Sequence, residues 1–235
     1  VYNIFEDKQG NIWVGTWSGG VNLLDIDYNG FIPITHFKDG ENSGPFRAVS
    51  SVTEFNGELW VGSENNGIVV MDQNGNTIKT LNTSNKLRSN HIKKLYTDKN
   101  NNIWIGYYDR GIQVYSPKTG TITNMIDFIN VYDIKEYPTN VFWITSGRQF
   151  IKLDLNTNKQ QSFIYQGNQE STNLQAGATI LISSNKKLWT GSRFGVDVYN
   201  TSDEKLIRHY NLTDLPDGNY SMHIFSFAED IDQNL

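Results

Sequence analysis

The residues Asp25-Ile26-Asp27-Tyr28-Asn29-Gly30 set oxygen ligands at alternate positions ahead of a Gly, as an EF-hand calcium loop does. The closing position of such a loop falls on His36, where a bidentate Glu would be needed. His36, His91, His209 and His223 show no metal-ligand spacing, and three of them fall on strand-like runs or their edges, so no metal site is expected. The chain has no Cys, which excludes thiolate nucleophiles, disulfides and Cys-ligated zinc. No Gly-rich phosphate loop precedes a helix, no Gly-Xaa-Ser-Xaa-Gly elbow occurs and no Ser/His/Asp set is suggested by spacing. Carboxylates are plentiful, but a catalytic pair of them is recognised by geometry and not by sequence. A non-catalytic chain without a cofactor is expected.

The chemistry that remains is recognition. Trp17, Tyr107, Tyr108 and Phe194, and likewise Arg88, Arg110, Arg148 and Arg193, fall in loop-like segments, with Arg47, Glu64 and His91 in comparable ones. Aromatic rings beside Arg, Glu and Asn suit a small saccharide, because C–H faces stack on rings while hydroxyls take hydrogen bonds. Whether these residues share one face depends on the elements that carry them.

Those elements repeat. The stretch NIWVGTWSGG at 11–20 returns as LWVGSENNGI at 59–68, IWIGYYDRGI at 103–112, FWITSGRQFI at 142–151 and LWTGSRFGV at 188–196. Trp13, Trp60, Trp104, Trp143 and Trp189 thus recur about every 45 residues, a period typical of propellers and solenoids. Each Trp run follows an apolar run that ends in a polar hairpin, and is followed by a run such as GVNLLD or GIVVMD and then by a further one such as NTIKTL or KLIRHY. Asn56-Gly57, Asn74-Gly75 and Asp217-Gly218 mark tight hairpins, and no stretch sustains a helical period. Four antiparallel strands per unit make a β-propeller blade.

The expected fold is therefore all-β, with blades at about 1–48, 49–90, 91–129, 130–177 and 178–222 and the first strand of a sixth at 223–235. HIFSFAEDIDQNL at 223–235 repeats the opening VYNIFEDKQGNI, so the chain reads as a fragment of a longer propeller. Asp25, Asp72 and Ser116 stand at one distance behind their Trp, so the calcium-like segment is the ordinary turn between third and fourth strands. The five repeated indoles are expected to fill the wedge between neighbouring sheets. In a propeller the loop from second to third strand shares a face with the link to the next blade, so the recognition residues above fall on one rim.

The 235 residues can bury a sizeable core, and 13% aromatics with 20 Gly but 5 Pro agree with strands and turns. A formal charge of -5 leaves no excess of cations for phosphates, so binding to nucleic acid or to an anionic membrane surface is not expected. No apolar run approaches the length of a membrane helix.

The run EDKQGNIWVGTWSGG at 6–20 resembles the two-component regulator propeller repeat of bacterial hybrid sensor histidine kinases: Glu-Asp, Gly, Ile-Trp-Val-Gly-Thr, then Gly-Gly. The other units depart from it, with Thr53-Glu54, Thr97-Asp98, Thr145 where Gly is usual, and Ser183-Ser184. The resemblance implies a periplasmic sensor region of an inner-membrane protein, one that detects an oligosaccharide and relays the signal to a kinase. It implies further blades, to about seven in the propeller, and C-terminal modules as partners, a homodimer, and contact with the membrane only through the rest of the parent protein. An interaction or dimerisation scaffold, or a propeller lyase or glycosidase, are the alternatives from other classes.

Overall fold

The computed structural model describes residues 3–16, 19–25, 30–34, 48–127, 130–147, 149–166, 179–192, 195–211, 224 and 226–235. All of its regular elements are strands, grouped into five four-stranded antiparallel sheets, the blades of a β-propeller. The first blade holds β1 (Asn3–Glu6), β2 (Ile12–Gly15), β3 (Val21–Asp25) and β4 (Gly30–Ile34). The second holds β5 (Val49–Phe55), β6 (Glu58–Ser63), β7 (Ile68–Met71) and β8 (Thr77–Leu81). The third holds β9 (Ile92–Thr97), β10 (Ile103–Tyr107), β11 (Ile112–Ser116) and β12 (Thr121–Ile126). The fourth holds β13 (Asp133–Glu136), β14 (Val141–Thr145), β15 (Gln149–Asp154) and β16 (Lys159–Ile164), and the fifth β17 (Thr179–Ile182), β18 (Lys187–Ser192), β19 (Gly195–Asn200) and β20 (Leu206–Asn211). In every blade the strands pair in chain order.

The chain forms two compact units, Val1–Ile129 with three blades and Asn130–Leu235 with two. Within the first unit β5 packs against β1 and β2, and β9 against β5 and β6; within the second, β17 packs against β13 and β14. First strands therefore meet first strands, as they do around a propeller axis. The second strands β6, β10 and β14 are buried on both faces, which accounts for their near-continuous apolar character, whereas β2 and β18 alternate buried with half-buried positions.

The tryptophans fill the junctions. Trp13 packs with Val49, Val52 and Leu59 of the next blade, Trp60 with Ile92, Leu95 and Ile103, and Trp143 with Ile180, Leu188 and Tyr199. Trp104 is equally buried, whereas Trp189 is half-buried and stacks on Tyr210 of its own blade at 6.2 Å and 14°. Two residues beyond the Trp, a Gly permits this approach. A Cβ on Gly15 would stand 2.8 Å from Val49 Cγ1, and one on Gly62 would stand 2.7 Å from Ile92 Cγ2. On Gly191 it would meet Ile224 Cγ2 at 2.4 Å.

The fourth blade solves the same junction differently. Thr145 occupies the Gly position, and its Oγ1 accepts the Asp133 N–H at 2.9 Å. The Asp133 carboxylate then reaches β17, where Oδ2 accepts the Ile180 N–H at 3.1 Å and the Thr179 hydroxyl at 3.3 Å. A polar bridge stands where a bare backbone stands elsewhere.

The Glu-Asp-Xaa-Xaa-Gly element is a clasp. Asp7 Oδ1 accepts the backbone N–H groups of Gln9 and Asn11 at 2.9 Å, and Oδ2 accepts the Asn11 amide at 3.0 Å and the Trp13 indole at 2.8 Å. Asp98 repeats the pattern with Asn100, Asn102 and Trp104. One carboxylate thus shapes the hairpin between the first two strands and orients the ring that fills the junction. Asp230 makes the same turn with Asp232 and Asn234. Of the segment 223–235, where a sixth first strand is expected, residues 224 and 226–235 are described, and they carry this turn without strand pairing.

Candidate functional site

The loops that follow β6 and β10 are tied to the segments leading into the first strands, which puts both sets on one face. The Glu64 N–H donates to Ala48 O at 3.0 Å, and the Tyr108 N–H donates to His91 O at 3.3 Å. Ser63 caps its loop, with Oγ donating to Gly67 O at 3.2 Å and accepting the Asn66 N–H at 2.8 Å. Gly67 has a φ of +74, and a Cβ there would stand 2.2 Å from Leu81 O, so only Gly lets the chain turn into β7 at this point. The segment between β8 and β9 is shaped by Asn82, whose backbone carbonyl accepts the N–H groups of Asn85, Lys86 and Leu87, while buried Leu87 anchors it to the core.

On this frame the rim of the second and third blades gathers a set of polar and aromatic side chains. Lys93 Nζ donates to Glu64 Oε1 at 2.9 Å and lies 5.2 Å from the centroid of the Tyr108 ring. The Tyr108 ring is 39% exposed, while the Lys93 and Glu64 side chains are each about one quarter exposed, at 23% and 24%. Arg88 pairs with Asp127 and directs Nη1 toward the carbonyl of Arg110 at 3.5 Å. The result is an aromatic face flanked by a cation and a carboxylate, with a second ion pair on the neighbouring segment. Such a set can stack against the C–H face of a ring and exchange hydrogen bonds with hydroxyls.

Of the residues singled out from sequence, Glu64, Arg88, His91, Tyr108 and Arg110 belong to this rim, with His91, Arg88, Tyr108 and Arg110 exposed. Tyr107 does not, and its assignment to the rim is corrected. It is fully buried among Trp60, Ile92 and Ile105, and its hydroxyl bonds to Gln113 Oε1. Burial pushes that hydroxyl well above the ordinary tyrosine range, against the smaller opposing effect of Arg88. The reason is the strand end: β10 is buried on both faces through its last residue, Tyr107, and Tyr108 is the first residue of the loop that leaves it. Trp17, Arg47, Arg148, Arg193 and Phe194 lie outside the described residues.

Lys93 and Asp127 were not singled out from sequence. Lys93 sits inside β9, where a search confined to loops does not look, but its place beside inward-facing Ile92 marks it as outward-facing. Asp127 directly follows β12 and carries no motif.

Residues 1–18 and 86–109 match the family described as Two component regulator propeller. No curated protein matches the chain. Among solved structures the chain resembles the extracellular domain of the putative hybrid two component system BT4673 from B. thetaiotaomicron, with a TM-score of 0.79 and 18% identity over 98% of this chain and 31% of that one. It also resembles the extracellular domain of the putative hybrid two component system BT3049 from the same organism, with a TM-score of 0.57 and 21% identity over 89% of this chain and 34% of that one. The WD40 beta propeller domain of Doa1 aligns with a TM-score of 0.62 at 13% identity over 89% of this chain and 67% of that one. At these identities the likeness gives the β-propeller fold, and the chain spans about a third of the length of the two B. thetaiotaomicron domains.

Proposed function

We propose that this chain is part of the extracytoplasmic, ligand-sensing propeller of a two-component sensor, and that its rim at the second and third blades binds a small saccharide without turning it over. The observation that carries the reading is the juxtaposition of Tyr108, Lys93 and Glu64, the first two of them within the stretch 86–109 that matches a two component regulator propeller. An exposed ring with a cation and a carboxylate beside it offers stacking and hydrogen bonding together, which is the requirement for a polyhydroxylated ligand. Occupancy would relay to a kinase by favouring one of two arrangements of the parent protein, so the ligand must bind those arrangements unequally.

Calorimetric titration of a broad panel of neutral oligosaccharides against the chain tests the reading. Saturable binding that weakens about tenfold or more in Tyr108→Ala supports it, since a stacked ring contributes on the order of 1–3 kcal/mol. No heat from any member of the panel, or binding unaltered by Tyr108→Ala, overturns it.

A second reading, an assembly scaffold, has its own observation: β20 exposes Leu206, Ile207 and Tyr210 along the outside of the fifth blade. Analytical ultracentrifugation of wild type and of Ile207→Asp separates the two. A dimer lost in the variant favours the scaffold, and a monomer at all concentrations opposes it.

A further inference from the structure

The second unit holds a groove that the saccharide reading does not use. It runs between the hairpins of the fourth and fifth blades, has a volume of about 710 Å³, and is lined by Tyr137, Pro138, Val141 and Lys152 on one side and by Lys186, Lys187, Thr201 and Ile207 on the other. Such a volume suits a small organic molecule. Every one of these residues belongs to the second unit.

The charges along the groove do not cancel. Lys152 crosses from β15 to Glu204 of the fifth blade, with Nζ 5.7 Å from the Trp143 ring centroid, so its charge is already matched. Asp154 also lines the groove, but its carboxylate is turned into its own hairpin, where Oδ1 accepts the N–H groups of Asn156 at 2.9 Å and Thr157 at 3.3 Å. The side-chain hydrogen bond from Thr157 is the largest influence on it and, with the backbone bonds of Asn156 and Thr157 and the charge of Lys152, holds it below the usual aspartate range against desolvation, so it stays an ionised acceptor engaged with its turn. Lys186 and Lys187 remain, and neither has an acidic partner among the described residues. Lys186 has a φ of +62 in the tight turn between β17 and β18. Even with the Asp154 charge set against them, the two lysines leave the described lining of the groove with a net positive charge, beside an apolar flank of Pro138, Val141 and Ile207.

We infer that this groove is a second binding site, for an organic oxyanion: a carboxylate or phosphate monoester held by Lys186 and Lys187, with an apolar body lying along Pro138, Val141 and Ile207. Two cations within reach of one anionic group act together, and the half-enclosed groove screens them less than open solvent does. The inference does not depend on the rim binding a saccharide.

The test is a titration of the whole chain with phenyl phosphate, benzoate and inorganic phosphate, followed by calorimetry at low ionic strength. Phenyl phosphate or benzoate is expected to bind saturably, at least fivefold tighter than inorganic phosphate because of the apolar flank. The tighter of the two names the oxyanion class. The double variant Lys186→Asn/Lys187→Ala is expected to weaken binding at least tenfold. Asn tolerates the positive φ at 186, and an unchanged thermal midpoint confirms that the double variant folds. Lys118→Ala, an exposed lysine in the first unit, is expected to bind as wild type does. Absence of saturable binding for both aromatic probes, equal affinity for inorganic phosphate, or equal weakening in the double variant and in Lys118→Ala overturns the assignment.

Discussion

The indole Nε1–H of Trp104 donates to Asp98 Oδ2 at 2.9 Å, six residues back across the hairpin that joins β9 to β10. The bond couples two levels of the fold. Asp98 is held by the backbone N–H groups of Asn100 and Asn102, so the local turn and the packing ring are set by one carboxylate. That coupling gives a physical reason for the spacing of Asp and Trp in the repeat: an acid six residues ahead of a Trp is where a two-strand hairpin brings it under the ring.

Asp98→Ala is expected to destabilise the chain by roughly 1–3 kcal/mol, because it leaves a buried indole N–H and two turn N–H groups without their acceptor. Asp98→Asn, which keeps one acceptor oxygen, should lose less. Urea unfolding followed by tryptophan fluorescence reads the difference, and a shift no larger for Ala than for Asn would contradict the clasp.

Trp60 tests the same idea from the other side. The residue six positions before it is Glu54, whose carboxylate instead accepts the Lys8 N–H from the neighbouring hairpin at 3.0 Å, and Trp60 Nε1 is buried without an acceptor. Trp60→Phe should therefore cost less than Trp104→Phe, by about 1–2 kcal/mol, since only the second abandons a satisfied bond. Equal losses would show that the indole bond contributes nothing beyond packing.

Acid should act through Asp7. Burial opposes its charge, but the bonds from Trp13, the Asn11 side chain and the backbone of Asn11 and Gln9 outweigh it and hold its pKa below the ordinary 3.8. A depressed carboxylate contributes stability that is fully present above about 3.8 and is lost as pH falls through the lowered folded value. Asp7→Asn should thus be less stable than wild type at neutral pH, with the gap closing below about pH 4. Thermal midpoints measured across that range check it; a gap constant with pH would exclude this linkage.

The blades and their strand order were legible in the sequence because a period near 45 residues and a Trp at constant register need no tertiary information. The finer content was not. Tyr107 and Tyr108 read alike in a loop-sized window, and only the point at which the doubly buried β10 ends decides which is core. Lys93 was missed because a strand residue becomes a site residue through the loop of another blade. The groove beside Lys186 depends on which acids are already occupied, and nothing in the spelling of Asp154 or Glu204 says that their carboxylates point elsewhere.

The junction position two residues beyond each Trp allows a paired test. Gly62→Ala places a methyl carbon 2.7 Å from Ile92 Cγ2 and 3.3 Å from Leu95 Cδ1, and the backbone at 62 does not have the positive φ that would itself penalise Ala. Overpacking between two rigid strands should then cost roughly 1–3 kcal/mol. In the fourth blade the reverse change, Thr145→Gly, removes the hydroxyl that accepts the Asp133 N–H and thereby loosens the backbone that presents the bridging carboxylate to β17, so it too should destabilise. Opposite substitutions with the same sign would mean that each junction is matched to its own neighbour. If Thr145→Gly instead stabilised the chain, the fourth junction would be a tolerated departure from the Gly arrangement and not an alternative solution.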